Sequence, residues 1–96
     1  MDEWFVYVLE TSDGTLYCGV TNDLVKRVHA HNHTSRGAKY TRSRRPVALL
    51  AWMACVGKSA ALQGEHRFKK LTRAKKLEAL RDDPKWTIAD GRVLPA

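Results

Sequence analysis

Tyr7, Tyr17, Arg27, His31 and Glu65 are side chains that together could hold a proton, bind an anion and hold a cation. The phenols lie on two apolar runs, around Val6-Tyr7-Val8 and Tyr17-Cys18-Gly19, joined by Thr11-Ser12-Asp13-Gly14-Thr15. Tyrosine is common in strands, so the phenols alone read equally as packing residues. Arg27 and His31 are four residues apart, so on a helix both point from one face toward the preceding hairpin. Glu65 falls on the apolar side of a later helical pattern with Ala61 and Phe68. A lone carboxylate buried there would need a cation, a hydrogen-bond partner or a metal; if only half-buried it is a rim charge paired with Arg or Lys.

Trp4 to Leu9 is aromatic, β-branched and apolar throughout, the pattern of a strand covered on both faces. Asp13-Gly14 signals a tight turn, and Leu16 to Val20 makes a second strand that brings Tyr7 and Tyr17 across from one another. Thr21-Asn22-Asp23 supplies capping oxygens, with Asn22 read chiefly as a cap, for a helix from about Asp23 to His31 or Asn32. Its apolar stripe is Leu24, Val28 and His31. His33 to Pro46 reads as a basic loop, Val47 to Val56 as a third strand ended by Gly57. Ser59 caps a helix to about Leu71, and Thr72 caps another, Arg73 to about Arg81, with Ala74, Leu77 and Leu80 inward. The result is one α+β domain over residues 1–96, with a core at about 4–82 and an extension at 83–96 carrying Trp86, Ile88, Val93 and Leu94.

With 17 Lys and Arg against 10 Asp and Glu in 96 residues, the net charge of +7 favours polyanionic partners. The cations concentrate in Arg36, Lys39, Arg42, Arg44 and Arg45 of the loop and in Lys69, Lys70 and Lys76 further on. Tyr40 sits among them, placed either to stack on a base or to pin the loop. Cys18 and Cys55 each lie in an apolar run and read as small buried thiols, not a disulfide. The N-terminus lacks the pattern of a signal peptide and no apolar run approaches a membrane span, so a cytoplasmic protein is expected.

His29, His31 and His33 suggest a metal cluster, but a zinc site takes three or four ligands and no carboxylate or cysteine stands at a matching offset. Gly14 and Gly19 do not open a helix, so they make no phosphate-binding fingerprint.

Taken together, Tyr7, Tyr17-Cys18-Gly19, Thr21-Asn22-Asp23-Leu24 with Arg27 and His31, and the later Glu65 closely resemble the GIY-YIG nuclease domain. The resemblance covers about Trp4 to Asp82 and is strongest to small stand-alone members, whose Gly-Ala-Lys-Tyr-Thr-Arg loop stands here at Gly37 to Arg42. Phe5, Val6 and Cys18 depart from the motif at packing positions, and there is no Asn after Asn32, where some active members carry one. The resemblance implies a three-stranded antiparallel sheet flanked by helices in the order β-β-α-β-α-α. It implies hydrolysis of DNA or RNA phosphodiesters by tyrosine-assisted attack of water, with one divalent cation, Mg²⁺ or Mn²⁺, held by Glu65. Arg27 would bind the scissile phosphate, with His31 beside it. The resemblance does not separate the roles of Tyr7 and Tyr17; Tyr7 is favoured as the base, provided that cations lower its pKa from about 10. The alternative is an inactive nucleic-acid-binding module on the same scaffold. The expected partner is nucleic acid, DNA before RNA, with a protein partner for targeting as an option.

Overall fold

The computed structural model describes residues 2–89. Strands β1 (Glu3–Glu10) and β2 (Leu16–Thr21) form the expected hairpin. At its turn the Thr15 amide donates to Thr11 Oγ1 at 3.1 Å and the Thr15 hydroxyl to the Asp13 carboxylate at 2.9 Å. Helix α1 (Leu24–His33) is capped by Asp23, whose side chain accepts the Lys26 amide at 3.0 Å. Asn22 is thus not the cap: of three adjacent residues able to cap, the extended backbone at Asp23 selects it.

The basic segment is not wholly loop, because Lys39–Arg42 closes a short helix, α2, on the Ala38 carbonyl. Strand β3 (Ala48–Val56) follows, then α3 (Lys58–Lys69) and α4 (Arg73–Asp82). Gly57, not Ser59, stands at the N-cap of α3, whereas Thr72 caps α4 as expected by accepting the Lys75 amide. On α4 only part of the expected stripe packs: Leu80 is buried, Leu77 half-buried and Ala74 exposed.

The sheet is antiparallel with order β2-β1-β3-β4, so it has four strands and not three. The added strand, β4 (Thr87–Ile88), pairs only with Ala51 and Trp52 of β3, too short a stretch to carry its own alternation in the sequence. It holds the start of the expected extension in place, with Trp86 packed 5.0 Å from Phe68; Asp90, Gly91, Val93 and Leu94 lie outside the described residues.

Because β1 is central, both its faces are covered, as its unbroken apolar run requires. Val6 and Val8 face a core with Leu50, Ala61, Phe68, Leu80 and Trp86. Tyr7 and Leu9 face a second cluster with Val47, Leu24 and Val28, under α1. Strand β2 is an edge strand. No helix among the described residues is long and apolar enough to cross a membrane.

Candidate active site

Tyr7 lies in the middle of β1 and is paired with Gly19, while Tyr17 is paired with Leu9. Side chains alternate along a strand, so both phenols emerge on the face under α1. They are diagonal neighbours with ring centroids 6.5 Å apart, not partners directly across the ladder. Gly19 makes room for this: a β-carbon there would lie 2.5 Å from the Tyr7 phenol oxygen and 2.7 Å from Cζ.

From α1, His31 places Nε2 2.8 Å from the Tyr7 oxygen, and Arg27 directs Nε–H to the same oxygen at 3.4 Å. The i, i+4 spacing brings both to one phenol, as the sequence predicts. Arg27 Nη1 donates to the Arg36 carbonyl at 3.0 Å, and Nη2 has no hydrogen-bond partner among the described residues. Behind His31, Nδ1 lies 2.8 Å from Thr41 Oγ1. Sequence reasoning gave no role to Thr41. Only the folding of the basic segment onto α1, with Gly37 against the His31 backbone, delivers it there.

Tyr7 and His31 are 1% and 0% exposed, and burial controls their titration. Burial pushes the Tyr7 phenol up to about 12, outweighing the hydrogen bond from Arg27. Burial, helped by Arg27 and Arg45, brings the His31 imidazole down to about 4, so it is neutral at pH 7. Arg27 alone therefore does not make Tyr7 acidic, because burial of the phenol is the larger effect.

Tyr17 is half-buried and differently placed. Its ring meets His31 edge-on at 5.3 Å and stacks on Tyr40 at 6.0 Å, and the Arg44 guanidinium lies 4.0 Å over the Tyr40 ring. Tyr17 opens onto a cleft of about 400 Å³ that straddles β2, lined also by Leu16, Cys18, Tyr40, Phe68, Lys69 and Lys76. Tyr17 reaches this cleft from one face of the sheet and Cys18 from the other.

Glu65 comes from α3 on the Cys18 face; its charge helps burial raise the Cys18 thiol to about 12. Its carboxylate is 19% exposed and pairs with Lys69 at 3.2 Å. It makes no hydrogen bond to the Tyr7–His31–Arg27 group among the described residues. No group of three or more His, Cys, Asp or Glu is arranged to hold a metal among those residues. A single half-buried carboxylate does not fit tetrahedral zinc. It does fit a hard divalent cation that keeps waters and takes substrate oxygens, such as Mg²⁺ or Mn²⁺.

The basic residues divide by what they already bond. Arg36, Lys39, Arg42 and Lys70 are exposed, and Lys69 and Lys76 line the cleft. Arg44 pairs with Asp13 at 3.2 Å and donates to the Tyr40 carbonyl at 3.0 Å, so it pins the stacked ring. Arg45 donates to the His31 and Thr34 carbonyls at 2.6 and 2.5 Å, which commits its fork to the C-terminal end of α1. His29 and His33 pair only with each other among the described aromatic contacts, 4.7 Å apart on the exposed side of α1. Asn22 lines a smaller cleft of about 250 Å³ with Lys26, Arg27 and Arg36.

Comparison with known proteins shows what the chain as a whole is similar to. The profile of the GIY-YIG catalytic domain matches residues 3–78. A UPF0213 protein of Desulfotalea psychrophila is 44% identical over 73 residues, spanning 76% of this chain and 66% of that one. One from Bacillus velezensis is 54% identical over 72 residues, 75% of this chain and 72% of the relative. One from Syntrophus aciditrophicus is 44% identical over 84 residues, 88% and 97% of the two chains. Among solved structures, the NMR structure of a UPF0213 protein from Bacillus halodurans is 40% identical, with a TM-score of 0.52 over 85% of this chain and 88% of that one.

Proposed function

Because this chain belongs to the GIY-YIG family, whose catalytic domain is nuclease-type, we propose that it hydrolyses phosphodiester bonds of DNA, or of RNA, by one-metal, tyrosine-assisted attack of water. The observation that carries the reading is the placement of Tyr17. It touches the buried Tyr7–His31 pair on one side and opens on the other onto a cleft that Lys69, the ion-pair partner of Glu65, also lines.

In this reading Arg27 binds the scissile phosphate through its uncommitted Nη2, offsetting charge that gathers in the transition state. Its bonds to Tyr7 and to the Arg36 carbonyl fix the guanidinium plane beforehand, so little reorganisation remains when the phosphate arrives. Glu65 would hold Mg²⁺ or Mn²⁺, which when bound supplies charge neutralisation and a more acidic water. Tyr17 is the phenol that reaches the cleft; having given its own proton to solvent there, it would act as the phenolate that positions the water and accepts its proton. Tyr7, buried and hard to ionise, is the anchor to which Arg27 and His31 are tied. Neutral His31 orients Tyr7 and packs edge-on against Tyr17. Lys69 and Lys76 in the cleft, with exposed Arg36, Lys39, Arg42 and Lys70, draw in the polyanion, while Tyr40, already stacked on Tyr17 and under Arg44, pins the basic segment.

Incubating the purified protein with plasmid, branched DNA and RNA in Mg²⁺, Mn²⁺ or chelator tests the reading. Cutting that needs the metal supports it. Firm binding with no cutting of any of these substrates replaces it with the binding module.

A further inference from the structure

We propose that Thr41 is a positioning residue that sets the direction of a hydrogen-bonded chain through the site: Arg27 to Tyr7, Tyr7 to His31, His31 to Thr41, and Thr41 to the Ala38 carbonyl. The contacts measure 3.4 Å from Arg27 Nε to the phenol oxygen, 2.8 Å from that oxygen to His31 Nε2, 2.8 Å from Nδ1 to Thr41 Oγ1, and 2.9 Å from Oγ1 to the Ala38 oxygen. The chain's ends fix its sense. A guanidinium can only donate and a carbonyl can only accept, while the phenol, the neutral imidazole and the hydroxyl between them each carry one proton.

The order that satisfies every donor within the chain runs head to tail. Thr41 gives its proton to Ala38, its oxygen accepts Nδ1–H, and Nε2 is left bare to accept the Tyr7 proton. In the reverse order Thr41 donates to Nδ1 and Nε2–H donates to Tyr7. The phenol oxygen then receives two donors while its own proton has no acceptor among the described residues. The Ala38 amide, 3.4 Å from Nδ1, favours that reverse order, but a buried phenol proton left without an acceptor costs more than one contact of that length supplies. Tyr7, His31 and Thr41 are 1%, 0% and 0% exposed, so bulk water does not compete for these bonds. The neutral state of His31 keeps the imidazole a one-proton link.

The chain turns the Tyr7 proton inward, away from the phosphate, and leaves the phenol oxygen's lone pairs for Arg27. Thr41 therefore acts on Arg27 through two intermediates, and ties the basic segment that carries Lys39, Tyr40 and Arg42 to the group that binds phosphate. The effect on rate rests on the hydrolase reading; the direction of the chain does not.

Nitrogen-15 NMR of His31 in the intact protein distinguishes the two imidazole tautomers, and is paired with cleavage kinetics for Thr41→Val and Thr41→Ser. The wild type is expected to show the Nδ1–H tautomer. Thr41→Val, which keeps the shape and loses the hydroxyl, is expected to lose that preference and lower kcat roughly tenfold with substrate binding held, as when an imidazole loses its orienting partner. Thr41→Ser is expected to restore both. An Nε2–H tautomer in the wild type overturns the proposal even if no variant folds, and so does an unchanged tautomer in Thr41→Val. If no substrate is cut but the tautomers behave as stated, the hydrolase reading fails and the role of Thr41 stands.

Discussion

Gly19 stands directly across the ladder from Tyr7, and the Tyr7 ring fills the space where a β-carbon at position 19 would lie, 2.5 Å from the phenol oxygen. The glycine serves close approach here and not an unusual backbone angle, since its φ is not positive. The ring cannot yield cheaply, because His31 and Arg27 hold its oxygen in a buried setting.

Gly19→Ala is therefore expected to push Tyr7 off His31, destabilising the fold by about 1–3 kcal/mol, the usual range for overpacking. Urea denaturation measures the loss. Cleavage is expected to fall further than stability does at temperatures where the variant remains folded.

Acid sensitivity follows from His31. Its folded pKa of about 4 lies below the unfolded 6.5, so between these values the unfolded chain binds the extra proton. Stability is thus full above about pH 6.5, declines as pH falls, and levels out below about pH 4, a loss on the order of 3 kcal/mol. The Asp13 carboxyl, lowered to about 2 by the Thr11 and Thr15 bonds, titrates below that window. Denaturant midpoints at pH 7 and pH 4.5 check this, and His31→Gln should flatten the dependence.

Much of this site was legible in the sequence where one local period was enough. Helical spacing brings Arg27 and His31 together and an unbroken apolar run marks β1, while Glu65, beside Ala61 and Phe68, is the half-buried charge paired with Lys69 that the same pattern allows. What was missed depends on register or long-range folding. The diagonal meeting of Tyr7 and Tyr17 follows from the pairing of Tyr7 with Gly19, which turn residues alone do not fix. Thr41 reaches His31 only because the basic segment closes a turn of helix against α1. The commitment of Arg45 to α1 carbonyls is invisible in a run of like charges. A base role for Tyr7 needs cations to lower its pKa, and burial, which a sequence does not show, outweighs Arg27.

The two phenols are expected to separate by substitution. Tyr17→Phe should abolish cutting and leave DNA affinity within about twofold, since it removes a group used in the reaction. Tyr7→Phe should retain measurable activity and lose stability by about 1–3 kcal/mol, because His31 Nε2 is left without its partner in a buried site. Full activity in Tyr17→Phe with none in a folded Tyr7→Phe would return the base to Tyr7.

Binding should weaken steeply with salt. Lys69→Gln and Lys76→Gln are each expected to reduce the slope of log affinity against log salt by about 1, the release of one counterion. Arg45→Gln should leave the slope unchanged and lower thermal stability, because its donors end α1 and do not face a phosphate. Fluorescence anisotropy on one labelled oligonucleotide across a salt series reads all three.

The proposed dependence of cutting on a metal held by Glu65 is tested by comparing Glu65→Gln with wild type on one DNA substrate. Cutting and binding are measured together, with Mg²⁺ and with chelator. Wild type is expected to cut only with the metal, and Glu65→Gln to bind as well but cut on the order of a hundredfold more slowly, the scale of losing metal-borne charge stabilisation. Equal cutting by the two proteins, or wild-type cutting unaffected by chelator, would contradict it.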